Sequence, residues 1–132
     1  MSNFARVTLV IGAVLLAAAT GLGAYASHGL DAHLQPDALA SFGIGVDYQF
    51  YHSLGLLVVA LLIDRFPAAS ALKLSAILIV LGIVLFSGGV YASSLTGPRW
   101  IAHLAPVGGL SLIAAWLVAA YAAIRLTTTN AN

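Results

Sequence analysis

The sequence predicts an all-α integral membrane protein: a four-helix bundle with four transmembrane spans and both termini on the cytoplasmic side. Of its 132 residues, 61% are hydrophobic and 7% are charged, which is far below the quarter that a water-exposed surface requires. Four apolar runs are long enough to cross a hydrocarbon core of about 30 Å. These runs are continuously apolar and do not alternate, so helices are favoured over a β-barrel.

Charge and cysteine content exclude several classes of function. The net charge is +1, and the charged residues are scattered singly, so the chain has no basic surface for nucleic acid. It contains no cysteine, which excludes disulfides, thiolate metal sites and cysteine nucleophiles. We therefore expect membrane lipids as the surroundings and no nucleic-acid partner. A homo-oligomer or a larger membrane complex stays open.

The first span is predicted at about residues 4–27. Small residues recur every four positions at Ala13, Ala17 and Gly21, a spacing that lets another helix approach closely. The Ala-x-Ala pattern at residues 24–26 is also found at the cleavage site of secretory signals. The apolar run is nevertheless long enough to cross the membrane, so we expect it to be retained as a span.

The second span is predicted at about residues 46–65, within a longer helix. Pro36 and Asp37 suit the first turn of a helix, and the pattern can continue to Arg65. Such a helix is about 45 Å long at 1.5 Å per residue, which exceeds what the membrane requires. We expect residues 37–44 to form a short interfacial helix that lies along the membrane surface or projects beyond it.

The third and fourth spans are predicted at about residues 74–95 and 102–126, which completes a single membrane domain over residues 1–132. Trp100 lies in the loop between them, where an aromatic ring suits the membrane interface. Four spans place both termini on one side of the membrane. Four cations then fall on that side and one on the other, which predicts cytoplasmic termini by the positive-inside rule. The four are Arg6, Arg65, Lys73 and Arg125, and the one is Arg99.

A cluster of polar side chains is predicted in the outer half of the membrane. Each span contributes to it near its outer end, and polar groups in hydrocarbon normally face the bundle interior. The predicted members are His28, Tyr48, Gln49, His52, Ser87, Tyr91 and His103.

Two interpretations of this cluster are open. In the favoured one the side chains hydrogen-bond to each other and hold the helices together, and the protein is a non-enzymatic accessory or structural component of the membrane. In the alternative, His28, Gln49, His52 and Tyr91 line a site for a lipid, a quinone or another amphipathic molecule.

Other chemistries have weaker support in the sequence. Three histidines on different spans are able in principle to hold a metal or a haem, but neither an HExxH nor a CxxCH motif is present. Ser53 follows His52 directly, and neighbours on a helix point about 100° apart, which does not make a nucleophile and base pair. The inner halves of the spans are almost purely aliphatic, so a polar transport path is missing. We assign no catalytic residue, metal ligand or cofactor.

Four ordered motifs resemble a known family. They are GAYASHGL at residues 23–30, YQFYHSL at 48–54, FSGGVY at 86–91 with LTG at 95–97, and PVGG at 106–109 with Trp116. This combination resembles the small inner-membrane proteins of the YgdD/YwdK type, domain-of-unknown-function family 423, which is related to the eukaryotic transmembrane protein 256 family. Ser27 stands where the family usually has alanine. The resemblance covers nearly the whole chain and implies a four-span membrane protein without an assigned activity.

Overall fold

Four long helices make up nearly all of the structure. The computed structural model describes residues 1–95, 97 and 99–129, with the backbone alone for Arg99 and residues 127–129; Thr96 of the third motif lies outside these residues. The helices are α1 (Asn3–His28), α2 (Pro36–Arg65), α3 (Ser70–Leu95) and α4 (Leu104–Thr129), with short 3-10 helices at Leu30–Ala32 and Arg99–His103. Within these residues, four helices are long and apolar enough to cross a membrane. The predicted all-α, four-span fold class is therefore confirmed.

Local sequence signals account for the helix ends. Ser2 precedes α1 and its hydroxyl accepts a hydrogen bond from the Ala5 N–H at 3.2 Å, as is usual for a serine N-cap. Helix α2 has Pro36 in its first turn, where the missing N–H has no intrahelical partner to lose. It continues without interruption to Arg65, so residues 37–44 are the first turns of one long helix.

The helices pack in the order of the chain. Helix α1 packs on α2, α2 on α3 and α3 on α4, the last pair most extensively, whereas α1 and α4 make at most marginal contact within the described residues. In the most apolar 18-residue stretch of each helix, 39% is buried in α2 and α3, but only 17% in α1 and 22% in α4. Helices α2 and α3 therefore form the centre, where Leu56, Ile63 and Ile79 are fully buried.

Glycines allow α3 and α4 to approach closely. A Cβ atom on Gly108 would lie 2.8 Å from the Leu85 carbonyl carbon and from the Phe86 Cα, so the two backbones are nearly in contact there. Gly82 faces the Leu112 side chain in the same way. Without a hydrophobic driving force between helices in lipid, such contacts supply van der Waals attraction.

The small-residue stripe predicted for α1 is wrong as a packing face in this fold. Ala13, Ala17 and Gly21 are exposed, and a Cβ on Gly21 would meet nothing within 4 Å. The buried face of α1 is a different stripe, which consists of Ala5, Thr8, Gly12 and Ala19. The two stripes are centred about 150° apart around the helix axis, at about 100° per residue, and the position of α2 selects between them.

The start of α1 and the end of α4 lie at one end of the bundle, which we call the termini end. The Ser2 N–H donates to Asp64 Oδ1 at 3.0 Å, which joins the start of α1 to the end of α2. Arg65 and Arg125 line one cavity, so α4 ends there as well. Trp100 precedes α4 at the opposite end, where its side chain is exposed.

Candidate functional site

The centre of the predicted polar cluster is Gln49, which links three helices. It is 4% exposed, sixteen residues before Arg65 and hence about 24 Å from the termini end of α2. Its Nε2 donates to the backbone oxygen of Leu15 in α1 at 2.8 Å. Its Oε1 accepts a hydrogen bond from the Tyr91 hydroxyl in α3, also at 2.8 Å. One amide therefore has both its ends hydrogen-bonded to neighbouring helices.

Two residues of α2 fix the position of the Tyr91 ring. Phe42 is buried, and its ring centroid is 4.7 Å from that of Tyr91. Gly45 leaves room for the ring, because a Cβ there would lie 2.7 Å from Tyr91 Cε1. The ring is thus held by packing, and its hydroxyl is directed at Gln49.

Ser87 is another member of the predicted cluster that is buried in the bundle. It is 1% exposed and lies one helical turn before Tyr91, close enough for its hydroxyl to interact with the tyrosine side chain. The Ser87 hydroxyl nevertheless has no hydrogen bond of normal geometry among the described residues. In an apolar surrounding such a group is costly, unless it finds a partner by a small rotation.

Tyr48 and His52 lie on a different face of α2. Their rings stack with centroids 5.7 Å apart, and His52 Nδ1 lies 2.7 Å from the Tyr48 backbone oxygen. Phe86 of α3 packs on Tyr48 at 4.5 Å, and Trp116 of α4 lies 6.2 Å from His52. We call these four side chains the aromatic row. Tyr48 is 42% and Trp116 40% exposed, so the row borders the lipid.

Helix geometry explains why Gln49 and His52 separate. Residues three apart differ by about 60° around the helix axis. That difference turns Gln49 toward α1 and α3 and His52 toward α4. The sequence prediction grouped them in one polar cluster, and the structure brings them to two adjacent interfaces.

His28 and His103 lie apart from the other five predicted residues. Both side chains are exposed. In the described part of the chain, no hydrogen bond or ring contact joins either of them to Tyr48, Gln49, His52, Ser87 or Tyr91. His28 is the last residue of α1, where an imidazole meets the negative end of the helix dipole and is solvated. The residues that meet inside the bundle are therefore Gln49, Ser87 and Tyr91.

The chemistry of this arrangement is that of a hydrogen-bonded connection. Gln49 and Tyr91 have no charge to exchange at neutral pH, and Ser53, next to His52, donates to the Gln49 backbone oxygen at 2.6 Å. Among the described residues, no group of three histidine, aspartate or glutamate side chains is close enough to hold a metal ion.

Sequence reasoning missed a second set of hydrogen bonds between helices. Ser75 in α3 donates to the Ala115 oxygen at 2.9 Å, and Ser111 in α4 donates to the Leu78 oxygen at 2.8 Å. Each of the two helices thus donates one serine hydrogen bond to a backbone oxygen of the other. Isolated serines in apolar runs are a weak signal. Which serines meet a backbone oxygen depends on how α3 and α4 align, and isolated serines do not encode that alignment.

Comparison with known proteins assigns the chain to a family. The family model described as "Protein of unknown function (DUF423)" matches residues 22–109. The membrane protein YwdK of Bacillus subtilis is 36% identical over 91% of this chain and 98% of its own length. The inner membrane protein YgdD of Escherichia coli is 32% identical over 92% of each chain. None of the solved structures matches the chain.

The matched region begins in the last turns of α1 and ends just after the start of α4, so it contains Gln49, Ser87 and Tyr91. The four spans and these relatives agree on a small multi-pass protein of the inner membrane. The chain belongs to the DUF423 family, the group that includes the UPF0382 membrane proteins YwdK and YgdD.

Proposed function

We propose that this protein is a non-enzymatic accessory component of the cytoplasmic membrane, a stable helical unit that offers its outer helix surfaces to a larger membrane assembly. The observation that carries the proposal is the Gln49 amide, which is hydrogen-bonded to α1 and α3 at the same time. A polar group bonded in this way stabilises the bundle, and at 4% exposure it is not accessible to a substrate from outside the bundle.

The distribution of buried surface supports an accessory role. Helices α1 and α4 bury little of their surface in the monomer and lie on opposite sides of the central pair. Many exposed positions of α4 are large and apolar; Leu110, Leu117 and Ile124 are each at least 64% exposed. Such faces suit lipid, and they suit equally the helices of another membrane protein.

The proposed orientation places both termini in the cytoplasm. Arg6, Arg65, Lys73 and Arg125 belong to the segments at the termini end, which is the cation excess that the positive-inside rule associates with the cytoplasm. Because the chain has no cysteine, single cysteines report directly on sidedness. Ser2→Cys should react with an impermeant maleimide only after the membrane is opened, and Ala102→Cys should react in intact spheroplasts. The reverse pattern would exclude this orientation.

A second candidate function is the binding of a lipid, a quinone or another amphipathic molecule. The aromatic row favours it, because Tyr48 and Trp116 present partly exposed rings beside His52. Planar rings at this depth suit stacking against a flat, weakly polar ligand. On this candidate, the row binds the ligand while the Gln49 connection holds the helices behind it.

Two variants separate the candidates. Gln49→Leu removes the connection between helices and leaves the aromatic row, whereas His52→Ala alters the row and leaves that connection. Native mass spectrometry of protein extracted with its own lipids reports bound molecules and subunit number together. The accessory proposal expects Gln49→Leu to lower thermal stability, and His52→Ala to retain the same bound species as wild type. Specific loss of a stoichiometric small molecule in folded His52→Ala would overturn it in favour of the ligand candidate.

A further inference from the structure

A cavity of about 520 Å³ lies at the termini end, far from the Gln49 connection. It is an open cleft, lined by the end of α2, the loop that follows it, the start of α3 and the last turns of α4. Its volume falls within the range of about 300–1,000 Å³ that is usual for small-molecule sites. The proposed accessory role makes no use of this cavity.

Two arginines belong to its lining. The Arg65 guanidinium lies over the Phe66 ring at 5.1 Å from the centroid. Arg125 donates from Nε to the Tyr121 hydroxyl at 3.0 Å, and its guanidinium lies 5.4 Å from the centroid of the same ring. Each guanidinium is therefore positioned by an aromatic neighbour that also lines the cavity. A guanidinium that lies over a ring in this way keeps its positive charge.

The carboxylate nearest to them in sequence is directed elsewhere. Asp64 accepts a hydrogen bond from the Ser2 N–H at 3.0 Å and lies 3.8 Å from the Met1 amino group. No aspartate or glutamate is present among the described residues that line the cavity. The local charge of the lining is therefore positive.

The rest of the lining is apolar. Ala69, Ala122 and Leu126 belong to it, together with the rings of Phe66 and Tyr121. Arg65 ends a helix that crosses the membrane, so the two charges lie at the level of lipid headgroups while the apolar wall extends toward the hydrocarbon. A free phosphate has no apolar part to pack against this wall. A zwitterionic lipid has no net negative charge to attract the two arginines.

We propose that this cavity binds the headgroup of an anionic phospholipid, with Arg65 and Arg125 on the phosphate and the apolar lining against the first part of the acyl chains. Basic pockets between transmembrane helices bind such headgroups in other membrane proteins. The site goes beyond the proposed accessory role, and its presence does not depend on that role.

The test uses the full-length protein purified in detergent and dioleoyl phosphatidylglycerol as the probe, with native mass spectrometry as the readout. Each cation near a membrane surface contributes about fivefold to anionic-lipid affinity, so Arg65→Gln with Arg125→Gln should weaken binding about 25-fold. The matched control is Arg6→Gln with Lys73→Gln, which removes the same charge at the same end but outside the lining. It should change binding less than about twofold, because screening limits the reach of distant charges.

Two further measurements distinguish a lipid headgroup from a free phosphate and test the role of the apolar wall. Dioleoyl phosphatidylcholine should bind at least about tenfold more weakly than phosphatidylglycerol, and glycerol 3-phosphate should not displace the lipid at equal concentration. Ala68→Trp places an indole at the exposed wall of the cavity and should reduce binding, whereas Ala123→Trp, exposed and outside the lining, should not.

Any one of three results would overturn the proposal: equal loss in the control double variant, equal binding of both lipids, or displacement by glycerol 3-phosphate. Circular dichroism and gel filtration verify that each variant is folded. If the arginine double variant fails to fold, the two single variants and Ala68→Trp decide the matter.

Discussion

Replacing Gln49 by leucine should loosen the bundle by an amount that its two hydrogen bonds determine. Leucine has a similar volume but removes the bond to the Leu15 oxygen and the acceptor for the Tyr91 hydroxyl, both at 2.8 Å. Hydrogen bonds between transmembrane helices contribute about 0.6 kcal/mol on average and about 1.7 kcal/mol at most. The loss for two bonds is therefore about 1–3 kcal/mol in the free energy of unfolding.

A double-mutant cycle isolates the bond between Gln49 and Tyr91. Tyr91→Phe alone should cost about 0.6–1.7 kcal/mol, and in the Gln49→Leu background it should cost almost nothing, because the bond is already absent. The measurement is unfolding by sodium dodecyl sulfate in dodecyl maltoside micelles, followed by far-ultraviolet circular dichroism. Tyr51→Phe is the matched control, since Tyr51 is 62% exposed on the same helix.

The cycle has a clear negative outcome. If the costs of Gln49→Leu and Tyr91→Phe add within about 0.3 kcal/mol, the two side chains do not interact energetically and the connection between α2 and α3 has no role in stability. An unchanged stability of Gln49→Leu would contradict the reasoning as a whole, since it would mean that lipid or water replaces both bonds without cost.

Two other predictions concern the α3–α4 interface and use the same unfolding assay. Gly108→Ala should lower the free energy of unfolding by about 1–3 kcal/mol, because the new Cβ would lie 2.8 Å from the Leu85 carbonyl carbon. Gly21→Ala is the control: with open space around it, it should leave stability unchanged or slightly higher. Equal effects of the two variants would mean that the close approach of the helices is not required. Ser111→Ala should lower the free energy of unfolding by about 0.6–1.7 kcal/mol, because it removes a hydrogen bond between helices. Ser41→Ala should cost less, because the Ser41 hydroxyl bonds within its own helix. Equal costs for the two variants would exclude a role for the bond between helices.

Much of the fold follows from local signals in the sequence. The number of spans depends on composition over about twenty residues, and the extent of α2 depends on Pro36 at its start and the charged residues at its end. Helix α3 begins at Ser70, one turn before the predicted span at 74, because a helix continues beyond the hydrocarbon while hydropathy reports only the apolar part. Which stripe of α1 is buried depends on how α2 approaches it, and no local pattern encodes that.

The sequence indicated residues that belong to the site, but not which of their side chains meet. Polar residues in apolar runs indicated Gln49 and Tyr91, and these two residues do bond to each other. Sequence spacing gave the depth of each residue, and depth alone placed His28 and His103 with them. The rotation of each helix about its axis decides which side chains meet, and a single sequence carries little information on that rotation. The same gap explains why the bond from Ser111 to Leu78 was missed.

The pairing of each helix with its neighbour in sequence has a consequence for biogenesis. A helix that leaves the insertion machinery finds its principal docking surface already in the membrane, since α2 needs only α1, α3 needs α2, and α4 needs α3. The Gln49 amide would reach Leu15 when the second helix arrives and would accept from Tyr91 when the third one does. Assembly can therefore follow the order of synthesis. The buried Gln49 amide has both of its hydrogen-bond partners before α4 is inserted.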